Sequence, residues 1–279
     1  MPRILIATSI APGARIAIQQ KAIQSWLMAG FEVVSLNAKT EIEALQADFP
    51  GIAFVPVERT AKLLTGRHHV FIDDIIYCLK TSGTEVVGIA NSDIVLELIP
   101  NLTRRLADAA SRGLICCPRL DVGGPDETIG SIDSFGYDLI FFRTEITALW
   151  GKTRFCLGQG YWDHYLPLMA ILRGHPTIKL VPPIGRHVAH DIARDDNFFL
   201  FADEFAALVS GFMTGGSPGD FDWTRFGHGF PKEAYAELRR NIESGRQQDI
   251  ESYAHHIDAL TRYVIRFIDA NSRHVSIAE

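Results

Sequence analysis

The sequence predicts an α/β fold in which a mostly parallel sheet is flanked by helices, and three observations support this. Apolar segments with the period of strands alternate with segments of helical period. Glycine, proline or polar residues separate successive segments. The 279 residues are 47% hydrophobic and 22% charged, as in an ordinary globular protein. We therefore expect a Rossmann-like domain over residues 1–196 and a helical C-terminal extension over residues 197–279.

The first half of the chain supplies the clearest alternation. Strands are predicted over residues 3–9, 31–36, 52–57 and 85–89, and helices over residues 14–29, 41–48 and 70–80. Ile16, Ile23 and Trp26 have helical spacing in the first helix, and Gly30 introduces the second strand. A helix between successive strands is the connection that parallel strands need, so these strands are predicted to be parallel.

The second half continues the alternation less regularly. A helix containing Leu102 and Leu106 precedes a strand over residues 114–120, and a loop rich in Gly, Asp and Pro follows over residues 121–131. Further strands are predicted over residues 137–142 and 177–183, with helices near residues 146–150 and after residue 162. A last helix covers residues 250–268. Its apolar face packs either on the core or against a second copy of the chain, so a homodimer stays open.

Composition and charge exclude several classes of function. The net charge is −6 and neither Lys nor Arg forms runs, so no nucleic-acid partner is expected. No stretch approaches the roughly 20 apolar residues that span a bilayer, and the N-terminus lacks a signal-peptide pattern. Cys78, Cys116, Cys117 and Cys156 show no CxxC spacing, as expected of buried thiols rather than zinc ligands. These features predict a cytoplasmic protein.

Polar segments follow the predicted strands of the first half. They cover residues 8–15, 37–39, 58–60 and 91–93. Open parallel sheets bind ligands beyond the carboxyl ends of their strands, so a functional site is expected where these segments meet.

The segment VVGIANSDIVL ends an apolar strand in Asn91, Ser92 and Asp93. It resembles the DxD motif of the GT-A glycosyltransferases, which holds a divalent cation on a sugar-nucleotide diphosphate. A hard dication prefers carboxylate and phosphate oxygens, and it neutralises charge on the departing diphosphate. In this sequence Asn91 stands where the motif has its first Asp. The alternative is a turn or a helix cap, in which Asx residues are common.

The order of elements before this motif also resembles the GT-A family. The resemblance implies a nucleotide site formed by Thr8, Ser9, Ile10, Arg15, Asn37 and Asn91. The loop after the first strand would lie along the base and ribose, and Asn91 would reach ribose hydroxyls while Asp93 binds Mn²⁺ or Mg²⁺. Arg15 would meet a phosphate, or it is a solvated residue at the start of a helix.

A second motif, GQGYWDHYL, leads into an apolar helix. It resembles the place where inverting GT-A enzymes carry an acidic residue under the acceptor, and Asp163 is the matching residue. The resemblance implies that Asp163 is the general base. A carboxylate near a helix N-terminus is also favoured by the exposed amides, so a capping role is the alternative.

A third motif, RHVAHD, follows a predicted strand. Members of the family often carry a late histidine that completes the metal site. On an extended segment His187 and His190 would face opposite sides, so only one of them is expected on the metal. We favour His190, because it lies further along the loop. Isolated histidines are more often surface residues, which is the alternative here.

The resemblance implies a metal-assisted, inverting glycosyltransferase that moves a sugar from a nucleotide-sugar donor to a carbohydrate or other hydroxyl acceptor. One alternative is a sugar nucleotidyltransferase, which has a Gly-rich, basic loop after the first strand. That loop is IAPGAR here, with one Gly and one Arg. Another alternative is a non-catalytic module that binds a nucleotide sugar without turnover.

Overall fold

The computed structural model describes residues 2–13, 15–133, 135–190, 196–213 and 250–277. The first elements are β1 (Ile4–Thr8), α1 (Ile16–Met28), β2 (Glu32–Ala38), α2 (Lys39–Leu45), β3 (Ala53–Val57), α3 (Lys62–Thr65), α4 (Ile72–Thr81) and β4 (Val86–Ala90). The next are β5 (Val95–Leu96), α5 (Leu102–Ala110), β6 (Leu114–Cys117), β7 (Arg119–Val122), β8 (Ser131–Ile132), β9 (Leu139–Arg143) and a 3-10 helix (Thr144–Leu149). The last are α6 (Trp162–Leu172), β10 (Thr177–Leu180), β11 (Gly185–Val188), α7 (Asp196–Met213), α8 (Ile250–Asn271) and β12 (Ser272–Val275).

The main sheet has eight strands in the order β12-β10-β6-β9-β4-β1-β2-β3. Only β9 runs antiparallel to its neighbours in this sheet, and the other pairs are parallel. A smaller sheet has the order β5-β11-β7-β8. The predicted fold class, a mostly parallel sheet flanked by helices, is confirmed.

Apolar side chains cover both faces of the main sheet. On one face Trp26 of α1 and Leu106 of α5 pack with Ile6 of β1. On the other face the core includes side chains of α4, α6, α7 and α8. A fully buried side chain of this size stabilises the fold by about 1.5–3 kcal/mol. The Trp26 indole also donates a hydrogen bond to the carbonyl of Ile94 (2.7 Å), which fixes the segment after β4 against α1.

The prediction of a single strand over residues 114–120 is wrong. Its first part is β6 of the main sheet, and its second part is β7 of the smaller sheet. Pro118 lies between them and has no N–H to donate, so the ladder is interrupted there. This break carries Arg119 and Asp121 away from the main sheet, which matters for the site described below.

The C-terminal segment adds a strand that the sequence did not predict. β12 pairs in parallel with β10, and α8 packs against α6. β12 is short and carries Arg273 and His274, so it lacks the apolar run of a central strand. Residues 214–249 of the predicted helical extension lie outside the described residues, and a domain boundary at residue 196 stays a prediction. Within the described part of the chain, no helix is long and apolar enough to cross a membrane.

Candidate active site

A cavity of about 1120 Å³ opens beside the ends of β1 and β4. Ser9 and Ile10 after β1 and residues 91–93 after β4 contribute to its wall. Side chains from β7, from the end of β11 and from the start of α6 complete that side. The volume is large enough for a ligand of nucleotide-sugar size.

Three potential metal ligands meet in this cavity. Ligand atoms of Asp93, His187 and His190 all lie within 4.8 Å of one another, and His187 Nε2 is 3.4 Å from Asp93 Oδ2. The expectation that the two histidines face opposite sides is wrong, since their ring centroids are 5.1 Å apart. The physical reason is that β11 ends at Val188, so the chain is no longer extended where His190 begins.

The charge of this cluster is set by neighbouring groups. Burial would raise the pKa of Asp93, but His187 and Arg15 outweigh it and hold this pKa below its usual value. Burial would lower the pKa of His187, but Asp93 outweighs it and the pKa is raised. Arg15 Nη1 is 3.5 Å from Asp93 Oδ2, and Arg15 Nη2 donates to the carbonyl of Val188 (2.8 Å). The Asp93 carboxylate is therefore ionised and faces cationic groups.

A second group of polar side chains lines the same cavity and contacts the cluster through His187. Asp121 Oδ1 is 2.8 Å from His187 Nδ1 and 2.9 Å from Arg119 Nε. Arg119 also forms ion pairs with Asp133 and Asp138. Burial would lower the pKa of Arg119, but the three carboxylates raise it above its usual value. Arg119 is therefore a fixed positive charge among the aspartates.

Asp138 links this group to the motif after β4. Its carboxyl accepts hydrogen bonds from the side chains of Arg119 and Asn91, and its carbonyl accepts one from the Asn91 N–H (3.1 Å). Burial raises the pKa of Asp138, and the negative charges of Asp163 and Asp93 add to the effect. The two buried carboxyls of Asp138 and Asp163 therefore interact electrostatically.

Asp163 is the second residue of α6, and it lines the same cavity. Its Oδ2 accepts a hydrogen bond from the Tyr137 N–H (2.9 Å), and its Oδ1 is 3.0 Å from His164 Nδ1. Burial would raise the pKa of Asp163, but the charge of His164 and these hydrogen bonds hold it below its usual value. Asp163 is thus ionised at neutral pH. The N-cap residue of α6 is Tyr161, whose backbone is left-handed with a φ of 76°.

The space around the Asp163 carboxylate is closed on one side by Gly136. A Cβ at residue 136 would lie 2.7 Å from Asp163 Oδ2, closer than real Cβ contacts. A glycine is therefore required at this position for the carboxylate to keep its orientation.

Four of the six predicted nucleotide-site residues line the cavity. They are Ser9, Ile10, Arg15 and Asn91. These four come from the segments after β1 and β4, which are neighbours in the main sheet. The two segments therefore form one continuous wall.

The other two, Thr8 and Asn37, are fully buried and do not line the cavity. Thr8 Oγ1 donates to the carbonyl of Ala90 (2.8 Å), which joins the ends of β1 and β4. Asn37 Nδ2 donates to the carbonyl of Ile10 (2.8 Å), and its Oδ1 accepts from Ser35 Oγ (2.6 Å). Both side chains hold the loop after β1 in place.

The sequence analysis did not identify Arg119, Asp121 or Asp138 as functional candidates. Asp121 lies in β7, at the start of the segment 121–131 that was predicted to be a loop rich in Gly, Asp and Pro, and that composition is the one signal that points to it. A basic wall of the cavity was also not predicted from the sequence. It is formed by Lys62, Arg67, His68 and His69. This wall contacts the loop before α6, because Gln159 Nε2 lies 2.9 Å from His69 Nε2.

Comparison with known proteins supports the fold. No protein-family model matches the chain, and a sequence search of curated proteins finds no match. The structure of S. aureus TarS residues 1–349 with UDP-GlcNAc is similar, with a TM-score of 0.51 at 13% identity over 98% of this chain and 84% of that one. A Desulfovibrio desulfuricans protein described as a nucleotide-diphospho-sugar transferase gives a TM-score of 0.43 at 16% identity, over 95% of this chain and 99% of that one. The chain therefore has a GT-A-like fold.

Proposed function

We propose that this chain, with its GT-A-like fold, is a glycosyltransferase that moves a sugar from a nucleotide-sugar donor to a hydroxyl acceptor with inversion. The observation that carries the proposal is one cavity lined both by the Asp93, His187 and His190 cluster and by the buried carboxylate of Asp163. The cluster of three ligands suits a cation that binds the diphosphate, and the Asp163 carboxylate suits a general base. TarS, which has the same type of fold and binds UDP-GlcNAc in its structure, supports a nucleotide-sugar donor.

In this proposal the donor lies along the wall formed by the segments after β1 and β4. Ser9 and Ile10 lie beside the base and ribose, and Asn91 offers an amide to ribose hydroxyls. Arg15 lies next to Asp93 and supplies a positive charge for the diphosphate. The protein has no global positive charge, so a phosphate-bearing substrate depends on such local groups.

Asp93, His187 and His190 fit a divalent cation by their chemistry. One carboxylate and two imidazoles are within reach of one another, and donor phosphates would supply further oxygens. We favour Mn²⁺ over Mg²⁺, because Mg²⁺ takes mainly oxygen ligands. The cation, when bound, neutralises the negative charge that develops on the departing diphosphate. Both histidines are included, since the structure brings both to Asp93.

Asp163 takes the proton of the acceptor hydroxyl. The hydroxyl oxygen forms a bond to the anomeric carbon from the face opposite the diphosphate, and the bond from that carbon to the diphosphate oxygen breaks. Asp163 is ionised at neutral pH, which is the state that a base needs. His164 and the Tyr137 N–H hold the carboxylate in one orientation.

Turnover of a panel of nucleotide sugars, followed by ³¹P NMR, tests the proposal and separates its alternatives. A glycosyltransferase releases a nucleoside diphosphate, and a sugar nucleotidyltransferase forms or consumes pyrophosphate. A binding module gives a thermal shift with a nucleotide and no turnover. We expect release of a nucleoside diphosphate that requires Mn²⁺. Pyrophosphate chemistry, or binding without turnover, would refute the proposal.

A further inference from the structure

Arg119 and the carboxyls around it line the same cavity as the proposed metal cluster. Arg119 Nε is 2.9 Å from Asp121, and Arg119 Nη2 is 3.0 Å from Asp133. Arg119 Nη1 contacts Asp138. The Arg119 side chain is 14% exposed, so these contacts are shielded from water and hold the carboxyls in fixed positions.

Asp121 determines which nitrogen of His187 faces Asp93. Both ring nitrogens of His187 face carboxylates, which accept hydrogen bonds and donate none. Because Nδ1 is at hydrogen-bond distance from Asp121 Oδ1 (2.8 Å) and the contact of Nε2 with Asp93 is longer, we assign the proton of the neutral ring to Nδ1. The lone pair of the neutral ring is then on Nε2, which is 3.4 Å from Asp93 Oδ2. Such a contact fixes both the tautomer and the orientation of a metal-binding histidine.

Asp138 determines which way the amide of Asn91 points. Asn91 Nδ2 donates to Asp138 Oδ1, so the amide oxygen is directed elsewhere. Asn91 Oδ1 is buried, and it has no hydrogen-bond partner among the residues that the structure describes. A buried acceptor without a partner is unfavourable, so a ligand that donates to it gains affinity.

The same contact explains why residue 91 is Asn where the DxD motif has Asp. An Asp at this position would place a second carboxylate against Asp138, in a buried site where like charges repel. With Asn, the pair keeps one hydrogen bond and one negative charge.

We propose that Arg119, Asp121 and Asp138 are positioning residues for the donor site. Arg119 holds the two aspartates, Asp121 directs His187 Nε2 toward Asp93, and Asp138 directs the oxygen of Asn91 toward the nucleotide. The inference rests on the proposed function, because it assigns these roles toward a cation and a nucleoside diphosphate.

Asp133 supplies a matched control for the test. Its carboxylate pairs with Arg119 (3.0 Å) and accepts a hydrogen bond from the Phe135 N–H (2.8 Å), and neither contact involves His187 or Asn91. Asp133→Asn and Asp121→Asn therefore each remove one carboxylate from Arg119. Only Asp121→Asn changes the group that faces His187 Nδ1, from a carboxylate that can only accept to an amide that can accept or donate.

The first readout is ¹⁵N NMR of His187 in metal-free protein at alkaline pH, where the ring is neutral. We expect the Nδ1-protonated tautomer in wild type and in Asp133→Asn, and a mixture of tautomers in Asp121→Asn. The second readout is Mn²⁺ affinity, which should fall by about 10–100-fold in Asp121→Asn. It should change by less than about threefold in Asp133→Asn. An unchanged tautomer in Asp121→Asn, or equal losses of Mn²⁺ affinity in the two variants, would overturn the proposal.

The Asn91 and Asp138 pair is tested by exchanging their side chains. Asn91→Asp alone should lower the affinity for UDP in the presence of Mn²⁺ by about tenfold, and adding Asp138→Asn should restore most of it. Thermal unfolding tests the same pair without a ligand. Asn91→Asp alone should lower the stability, and adding Asp138→Asn should restore most of it. Failure of the second substitution to restore stability would overturn this part of the proposal. If wild type binds no Mn²⁺, the proposed metal site fails, while the tautomer and the stability rescue still decide the positioning roles.

Discussion

Asp163→Asn is the substitution that most sharply separates a catalytic from a structural carboxyl. The amide has nearly the same shape, and its oxygen can still accept the Tyr137 N–H that Oδ2 accepts now (2.9 Å). It loses the negative charge opposite His164, whose Nδ1 is 3.0 Å from Asp163 Oδ1. The substitution therefore removes the base and keeps most of the local structure.

The expected effects differ in size for stability and for catalysis. Asp163 and His164 are 6% and 5% exposed, so the lost pair is a buried one. His164 can release its proton when Asp163 is neutral, which limits the loss in the free energy of unfolding to about 1–3 kcal/mol. Loss of a positioned base should lower kcat by about 10²- to 10⁴-fold. Nucleotide affinity should not change, because Asp163 is absent from the metal cluster.

The assay is steady-state transfer, with nucleotide binding and thermal unfolding measured on the same preparations. Asp269→Asn is a suitable control, because Asp269 accepts the hydroxyl hydrogen bond of Tyr137 (2.8 Å) and does not line the cavity. It should lower stability and leave kcat within about threefold of wild type. Full activity of Asp163→Asn, or a loss of activity matched by Asp269→Asn, would remove Asp163 from the mechanism.

Three further predictions concern the same cavity. Gly136→Ala should lower kcat at least tenfold and leave Mn²⁺ binding intact, because the new Cβ would lie 2.7 Å from Asp163 Oδ2. An unchanged kcat would contradict the requirement for a fixed orientation of the Asp163 carboxylate. His187→Ala and His190→Ala should each lower the affinity for Mn²⁺ by about tenfold or more. Titration of each variant with Mn²⁺ measures this, and an unchanged affinity in either variant would exclude that histidine as a ligand. The pKa of His164 is raised, so its contribution to stability is complete below about pH 6.5 and is lost as pH rises through that raised pKa. Above about pH 6.5, the free energy of unfolding should therefore fall more steeply with pH in wild type than in His164→Gln. Equal slopes in the two proteins would contradict an ion pair between His164 and Asp163.

The sequence predicted those parts of the fold that depend on near neighbours. β1 and β4 are short apolar runs that end in polar residues, and this local pattern is enough to predict strands and the side on which a ligand binds. Asp93 follows the last residue of β4 by three residues, so it could be predicted at this side of the sheet. Asp163 was selected by the resemblance of GQGYWDHYL to the acidic position of inverting GT-A enzymes, at the start of an apolar helix, and its role stays a prediction.

Contacts between distant segments could not be predicted. Asp121 and His187 are 66 residues apart, and they meet because β7 and β11 pair in the smaller sheet. That pairing depends on the interruption at Pro118, which a pattern of apolar residues does not reveal. Thr8 and Asn37 follow the same polar pattern as Ser9, yet their side chains bond to the backbone of adjacent segments. Alternation alone does not distinguish these two uses of a polar residue.

The most direct test of the account is calorimetric binding of UDP, GDP, CDP and ADP with Mn²⁺ and with EDTA, in wild type and in Asp93→Ala. The account predicts that one nucleoside diphosphate binds wild type with Mn²⁺ and binds at least tenfold more weakly in EDTA. It also predicts that Asp93→Ala, folded as judged by circular dichroism, loses this dependence on the metal. Equal binding in EDTA and in Mn²⁺ would contradict the metal-assisted donor site, and no binding of any nucleotide would contradict the proposed donor class.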